Sequence, residues 1–221
     1  MFGSKKEPEE LKPAVSETGA FQYQRLNKDH ALVMFVDHQA GLLSLVRDIE
    51  PVEFKANIMA LADLAEYFEL PTILTASIQK GPNGPIMPEL TEKFPKAKLI
   101  DRPGEINAWD NEDVVKAVEK TGRKQIIIAG IVTEVCVAFP TLSLLEAGYQ
   151  VFVAVDASGT FNELTRNAAW LRMQNAGAQL VNWFAIANEM RRDWREDMPG
   201  YLELFKRNIP AYKPLVDSYL K

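Results

Sequence analysis

The sequence predicts a three-layer α/β fold: a doubly wound parallel sheet with helices on both faces. Three observations carry this reading. Five apolar runs, several rich in β-branched residues, are too short for isolated helices and read as strands buried on both faces. Amphipathic segments with helical spacing separate them. Several of those segments stop at a glycine, and such strand–helix alternation implies right-handed crossovers and a sheet covered on both sides.

Taken in order, residues 1–24 are polar and carry Pro8, Pro13 and Gly19. They read as a flexible N-terminal extension, with one domain over 25–221. The run ALVMFV (31–36) is the first strand. Phe54, Ile58, Leu61, Ala65 and Phe68 then recur at helical spacing and stop before Leu70-Pro71. TILTA (72–76) is the second strand. Residues 78–110 interrupt the alternation: five prolines and three glycines make them a long connection, of the kind that carries function over a rigid sheet. A helix begins near Asn111, with Glu112 and Asp113 in its first turn, and ends at Lys120 and Gly122. QIIIAG (125–130), YQVFVAV (149–155) and AQLVNW (178–183) are the remaining strands. Helices over 134–147 and 162–176 lie between them, ending at Gly148 and Gly177. The last segment, from Glu196 on, carries three tyrosines and several leucines after the sheet is complete. It packs on its own domain or covers a neighbouring subunit.

Composition narrows the function. The net charge of −5 comes from interspersed acids and bases. Without clustered Lys and Arg, a nucleic-acid surface is not expected. No apolar run approaches the ~18 residues of a membrane span. The N-terminus has neither the apolar core of a secretory signal nor the acid-poor character of a mitochondrial presequence. One cysteine suits a reducing compartment. A cytoplasmic enzyme or binding protein acting on a small molecule is the expectation.

In folds of this class ligands bind beyond the carboxyl ends of the strands. Asp37 and Asp156 end two of the strands, while Ser77 and Thr133 follow two others. Cys136 stands just past a strand, in GIVTEVCVAF (130–139). With Thr133 as N-cap, its hydroxyl accepting from the Cys136 N–H, the cysteine falls in the first helical turn. Unpaired N–H groups there favour an anion, which lowers a thiol pKa and can also stabilise a substrate oxyanion. The alternative is a small hydrophobe filling a core.

The stretches VDHQAGLL (36–43), RPGEINAWDN (102–111), GIVTEVCVAF (130–139) and DASGTF (156–161) together resemble the isochorismatase-like cysteine hydrolase superfamily, and within it the YcaC group. The resemblance covers about residues 25–215. It implies a catalytic triad of Asp37, a basic residue in the long loop at Arg102, and Cys136. It also implies a non-proline cis peptide before the threonine, at Val132–Thr133, aiming N–H groups at the site. Octameric assembly is a further implication, and no cofactor is.

The roles follow from chemistry. Asp37 takes the thiol proton and returns it to the leaving group. Cys136 attacks an acyl carbon and forms a thioester-type intermediate that water hydrolyses. Arg102 stands where most of the superfamily has lysine; it stays protonated, so it orients Asp37 or binds an anionic group but does not shuttle protons. Gln39, Asn107 and Trp109 are candidate substrate contacts, each with packing as the alternative. Phe161 and Trp183 are expected in the core. His38 and His30 are the only histidines, too few for the zinc site of nicotinamidase-like relatives, so no metal is expected. Two other functions remain open: vinyl-ether hydrolysis with Asp37 as general acid, and a non-enzymatic assembly or binding role.

Overall fold

The computed structural model describes residues 23–219. Among them, six parallel strands form one sheet: β1 (Ala31–Val36), β2 (Thr72–Ser77), β3 (Leu99–Arg102), β4 (Gln125–Gly130), β5 (Gln150–Ala154) and β6 (Gln179–Val181), in the order β3-β2-β1-β4-β5-β6. The order reverses between β1 and β4, whose pairing runs in register from Ala31–Gln125 to Val36–Gly130. The crevice beyond their carboxyl ends is the switch point where such sheets bind ligands.

The helices are α1 (Ala40–Leu43), α2 (Pro51–Tyr67), α3 (Pro88–Lys93), α4 (Glu112–Thr121), α5 (Ala138–Glu146), α6 (Glu163–Asn175), α7 (Trp183–Arg191), α8 (Met198–Asn208) and α9 (Tyr212–Tyr219). The two faces of β1 show the three layers. Ala31, Val33 and Phe35 pack with Ile58 and Leu61 of α2, Ile186 of α7 and Phe205 of α8. Leu32, Met34 and Val36 pack with Val118 of α4, Leu144 of α5 and Met173 of α6. Alternating side chains thus enter opposite cores, which is why the strand reads as one continuous apolar run. At α4 the expected signals are both present. Asn111 Oδ1 accepts from the N–H groups of Asp113 and Val114, and Gly122 ends the helix at φ 67.

Two elements and one side chain differ from expectation. The connection over 78–110 contains α3, the edge strand β3 and a single 3-10 turn (Ala108–Asp110). Strand β3 is four residues long, ends in two charged residues of which Asp101 is exposed, and pairs only with β2. The helix expected over 134–147 opens as a π-helical turn (Thr133–Val137) before α5 begins. Pro140 accounts for the change: it has no N–H to give the Cys136 carbonyl and its ring crowds that oxygen, so an α-helix running from residue 134 is blocked. Phe161 is exposed rather than in the core, whereas Trp183 is buried.

Most of the extension read over 1–24 lies outside the described residues. Tyr23 and Gln24, which are described, are tied to the domain: Tyr23 Oη donates to Glu189 Oε1 at 2.6 Å and Gln24 Oε1 accepts from Gln179 Nε2 at 3.3 Å. No helix of the described residues is long and apolar enough to cross a membrane.

Candidate active site

Asp37, Arg102 and Cys136 meet at the switch point. Asp37 follows β1 directly and has φ 58, a left-handed conformation that Asp tolerates better than most residues. Its N–H donates to Thr75 O at 2.9 Å, and its own carbonyl accepts from Gln39 N–H at 2.7 Å. The chain therefore turns sharply and leaves the carboxylate above the end of the sheet. Arg102, the last residue of β3, comes from two strands away. Both side chains are fully buried.

Their contact is bidentate: Nη1–H donates to Oδ1 at 3.0 Å and Nη2–H to Oδ2 at 2.8 Å. Arg102 makes two more bonds, Nη1–H to Thr75 Oγ1 at 2.9 Å and Nε–H to Glu105 O at 3.1 Å. Four of the five guanidinium N–H groups are thus engaged within the protein. Of the two roles open to Arg102, this geometry favours orienting Asp37 over receiving a substrate anion.

Cys136 lies in the π-helical turn, half-buried, with the Asp37 carboxylate hydrogen-bonded to its thiol. Burial pushes the thiol pKa strongly up; the negative charge of Asp37 and its hydrogen bond push the same way. The Val132 N–H and the charge of Arg102 oppose this and are outweighed. The expectation of an ionised sulfur is therefore corrected. A dipole at a helix start is a weak, short-range effect, and here a full charge and desolvation work against it. The resting group is a neutral thiol held against a carboxylate.

The turn itself also differs from expectation. Thr133 does not cap through its side chain; its Oγ1 is buried without a hydrogen-bond partner. The turn closes instead through longer loops, Val137 N–H to Val132 O at 3.3 Å and Ala138 N–H to Thr133 O. The non-proline cis bond is Ile131–Val132, one residue before the expected Val132–Thr133. Gly159 is bonded on both sides of that peptide: its N–H donates to Gly130 O at 3.2 Å and its carbonyl accepts from Thr133 N–H at 3.1 Å. The Thr133 N–H is engaged by that bond and unavailable to an oxyanion; the Val132 N–H is the donor beside the sulfur.

The three candidate substrate contacts have structural partners. Gln39 donates through Nε2 to the carbonyls of Ser77 and Gly84 and accepts at Oε1 from Ser77 N–H, pinning the loop after β2. Asn107 caps the 3-10 turn through the Trp109 N–H and donates to Ser143 Oγ. Trp109 packs edge-on against Tyr149 with ring centroids 5.6 Å apart. His38 Nε2–H donates to Ala157 O at 3.0 Å, and burial lowers its pKa to about 4, so it is neutral. Asp156 accepts the Trp183 N–H at the start of α7, at 3.1 and 3.2 Å, and burial raises its pKa to about 6.

Sequence reasoning missed Thr75, whose hydroxyl accepts from Arg102 and donates to Ile100 O at 3.0 Å. A threonine in the middle of an otherwise apolar buried strand was the available signal. It also assigned no role to Ser158, Gly159 and Thr160, which flank the turn that carries Cys136.

The isochorismatase domain model matches residues 30–184. The chain is 64% identical over 197 residues to "Probable hydrolase YcaC" of Escherichia coli, covering 89% of this chain and 95% of that protein. Among solved structures, YcaC from Pseudomonas aeruginosa, with hexane-2,5-diol and covalent acrylamide, superposes with a TM-score of 0.90 at 62% identity. The match covers 91% of this chain and 100% of that one. The Escherichia coli YcaC structure, described as an octameric hydrolase of unknown specificity, has a TM-score of 0.89 at 64% identity and covers 90% and 98%.

Proposed function

The chain belongs to the isochorismatase family and is a hydrolase of that family, and from that premise we propose that it cleaves a small amide, ester or related acyl compound through a covalent intermediate on Cys136. The observation that carries the reading is the buried chain of contacts from Arg102 through Asp37 to the Cys136 thiol. A neutral thiol against a fixed carboxylate is set up for base-assisted attack. As the Sγ–carbon bond forms, the thiol proton passes to Asp37 and the carbonyl electrons move onto oxygen beside the Val132 N–H. Collapse expels the leaving group, which takes the proton from Asp37 and leaves a thioester. Water then gives its proton to Asp37 and attacks the thioester carbon; the thiolate leaves and recovers that proton.

Arg102 holds both oxygens of Asp37 and so fixes the proton acceptor's direction. Because it has one N–H left, uncharged substrates fit the site better than carboxylates. The acrylamide joined covalently to the Pseudomonas protein supports a nucleophile in this group of hydrolases, since a thiol adds readily to that alkene. The vinyl-ether route gives no task to the Cys136 thiol held against Asp37. Octameric assembly, as in the Escherichia coli relative, and a reducing cytoplasmic setting complete the proposal.

The test is a panel of activated esters and amides with intact mass measured before completion. An acyl adduct that is present in the natural protein and lost in Cys136→Ser supports the reading. Full turnover by Cys136→Ser refutes it.

A further inference from the structure

Ser158-Gly159-Thr160 takes no part in the chemistry above, yet these three successive residues grip the turn that carries Cys136. Ser158 Oγ accepts from Gly130 N–H at 3.3 Å, and Gly159 bonds to both Gly130 and Thr133. Thr160 Oγ1 donates to Glu134 Oε2 at 2.6 Å. The grip is tied in turn to the segment between α1 and α2. Thr160 N–H donates to Asp48 Oδ1 at 2.8 Å, and Thr160 O accepts from Arg47 N–H at 2.8 Å. Arg166 of α6 stands 3.9 Å from the other Asp48 oxygen. Ser158 and Thr160 are fully buried. A Cβ on Gly159 would lie 2.7 Å from Val46 Cγ1 and 2.9 Å from Phe54 Cζ, so the segment has no freedom to shift toward α2.

Among these contacts, the Glu134 bond is the one made by a side chain of the turn itself. Glu134 precedes Cys136 by two residues, and a hydroxyl donating to a carboxylate is short, strong and directional. The backbone bonds at Gly130 and Thr133 fix where the turn begins; the Glu134 side chain fixes how it is rotated beyond that point.

We propose that Glu134 and Thr160 are positioning residues, whose shared hydrogen bond sets the direction in which Cys136 Sγ faces Asp37. The proposal rests on the cysteine-hydrolase reading, because both residues act through Cys136. The probe is acrylamide with the full chain, followed by intact mass. The sulfur bonds to the terminal alkene carbon and the thiol proton ends on the carbon next to the carbonyl, so no further reagent is needed.

Glu134→Ala and Thr160→Val are each expected to slow Cys136 adduct formation roughly 10- to 100-fold, the cost of a misaligned reacting pair. The double variant should be no slower than the slower single one. Thr160→Ser, which keeps the hydroxyl, should recover most of the rate, as should Glu134→Gln, which keeps an acceptor. A merely structural role predicts a lower melting temperature with an unchanged or faster adduct rate, because a loosened turn exposes the thiol. That result, or a Thr160→Ser as slow as Thr160→Val, overturns the proposal. If the natural protein reacts no faster than Asp37→Asn, the hydrolase reading falls and takes this inference with it. A fast natural protein with an equally fast Glu134→Ala overturns this inference alone.

Discussion

Breaking the Asp37–Arg102 pair and replacing it should have opposite consequences for stability. Both side chains are fully buried, and Arg102 makes four hydrogen bonds, two of them to the carboxylate. In Arg102→Ala the carboxylate stays behind without its counter-charge, and removing one member of a buried pair typically costs about 3–5 kcal/mol. The lost contacts to Thr75 and Glu105 act in the same direction, because the Glu105 carbonyl and the Thr75 hydroxyl each lose a donor. We therefore expect a loss near the upper end of that range. The double variant Asp37→Asn, Arg102→Met removes both charges, keeps at position 37 a residue that tolerates its φ of 58, and leaves no unpaired buried charge. It should regain most of the stability while remaining inactive. Urea midpoints at one fixed protein concentration give the comparison, since assembly makes apparent stability depend on concentration. A loss below about 1 kcal/mol in Arg102→Ala, the range of an exposed ion pair, would refute the picture of a dry, mutually dependent pair.

Two further outcomes follow from other sites. Burial raises the folded-state pKa of Asp156 to about 6, above its unfolded value near 3.9. The stability this group contributes is fully present below about pH 4 and is lost as pH rises through about 6. Asp156→Asn should therefore gain relative to the natural protein between pH 4.5 and 7.5, by about 2 kcal/mol after allowance for partial exposure, as read by denaturant unfolding at each pH. A Cβ on Gly130 would stand 2.4 Å from Val36 O. Gly130→Ala should thus lower stability by about 2–4 kcal/mol and slow Cys136 modification, measured by thermal unfolding and intact mass.

Strands β1 and β4 could be read to the residue because both faces of each are covered, which makes the sequence a continuous apolar run. Strand β3 could not, since an edge position lets Asp101 face water within four residues. Asp37, Arg102 and Cys136 were named from their motifs, and the topology brings them together from three different strand ends. What the local sequence lacked was the surroundings. The ionisation of Cys136 depends on burial and on Asp37, a residue 99 positions away by number. The same blindness applies to Gln39, Asn107 and Trp109, because a polar or aromatic side chain near a motif does not show which groups of the protein it already serves. The cis bond lies one residue before the expected position, in a stretch held on both flanks by Gly159, far along the chain.

The most direct test of the central claim is the ionisation of the single thiol, followed by thiolate absorbance with Cys136→Ser as the blank. The natural protein should show no thiolate at neutral pH, with ionisation above the ~8.5 of a free cysteine. Asp37→Asn should move that ionisation to lower pH, because the carboxylate's charge and its hydrogen bond both hold the proton on sulfur, and should nonetheless slow acylation. A thiolate already present at pH 7 that disappears in Asp37→Asn would contradict the account.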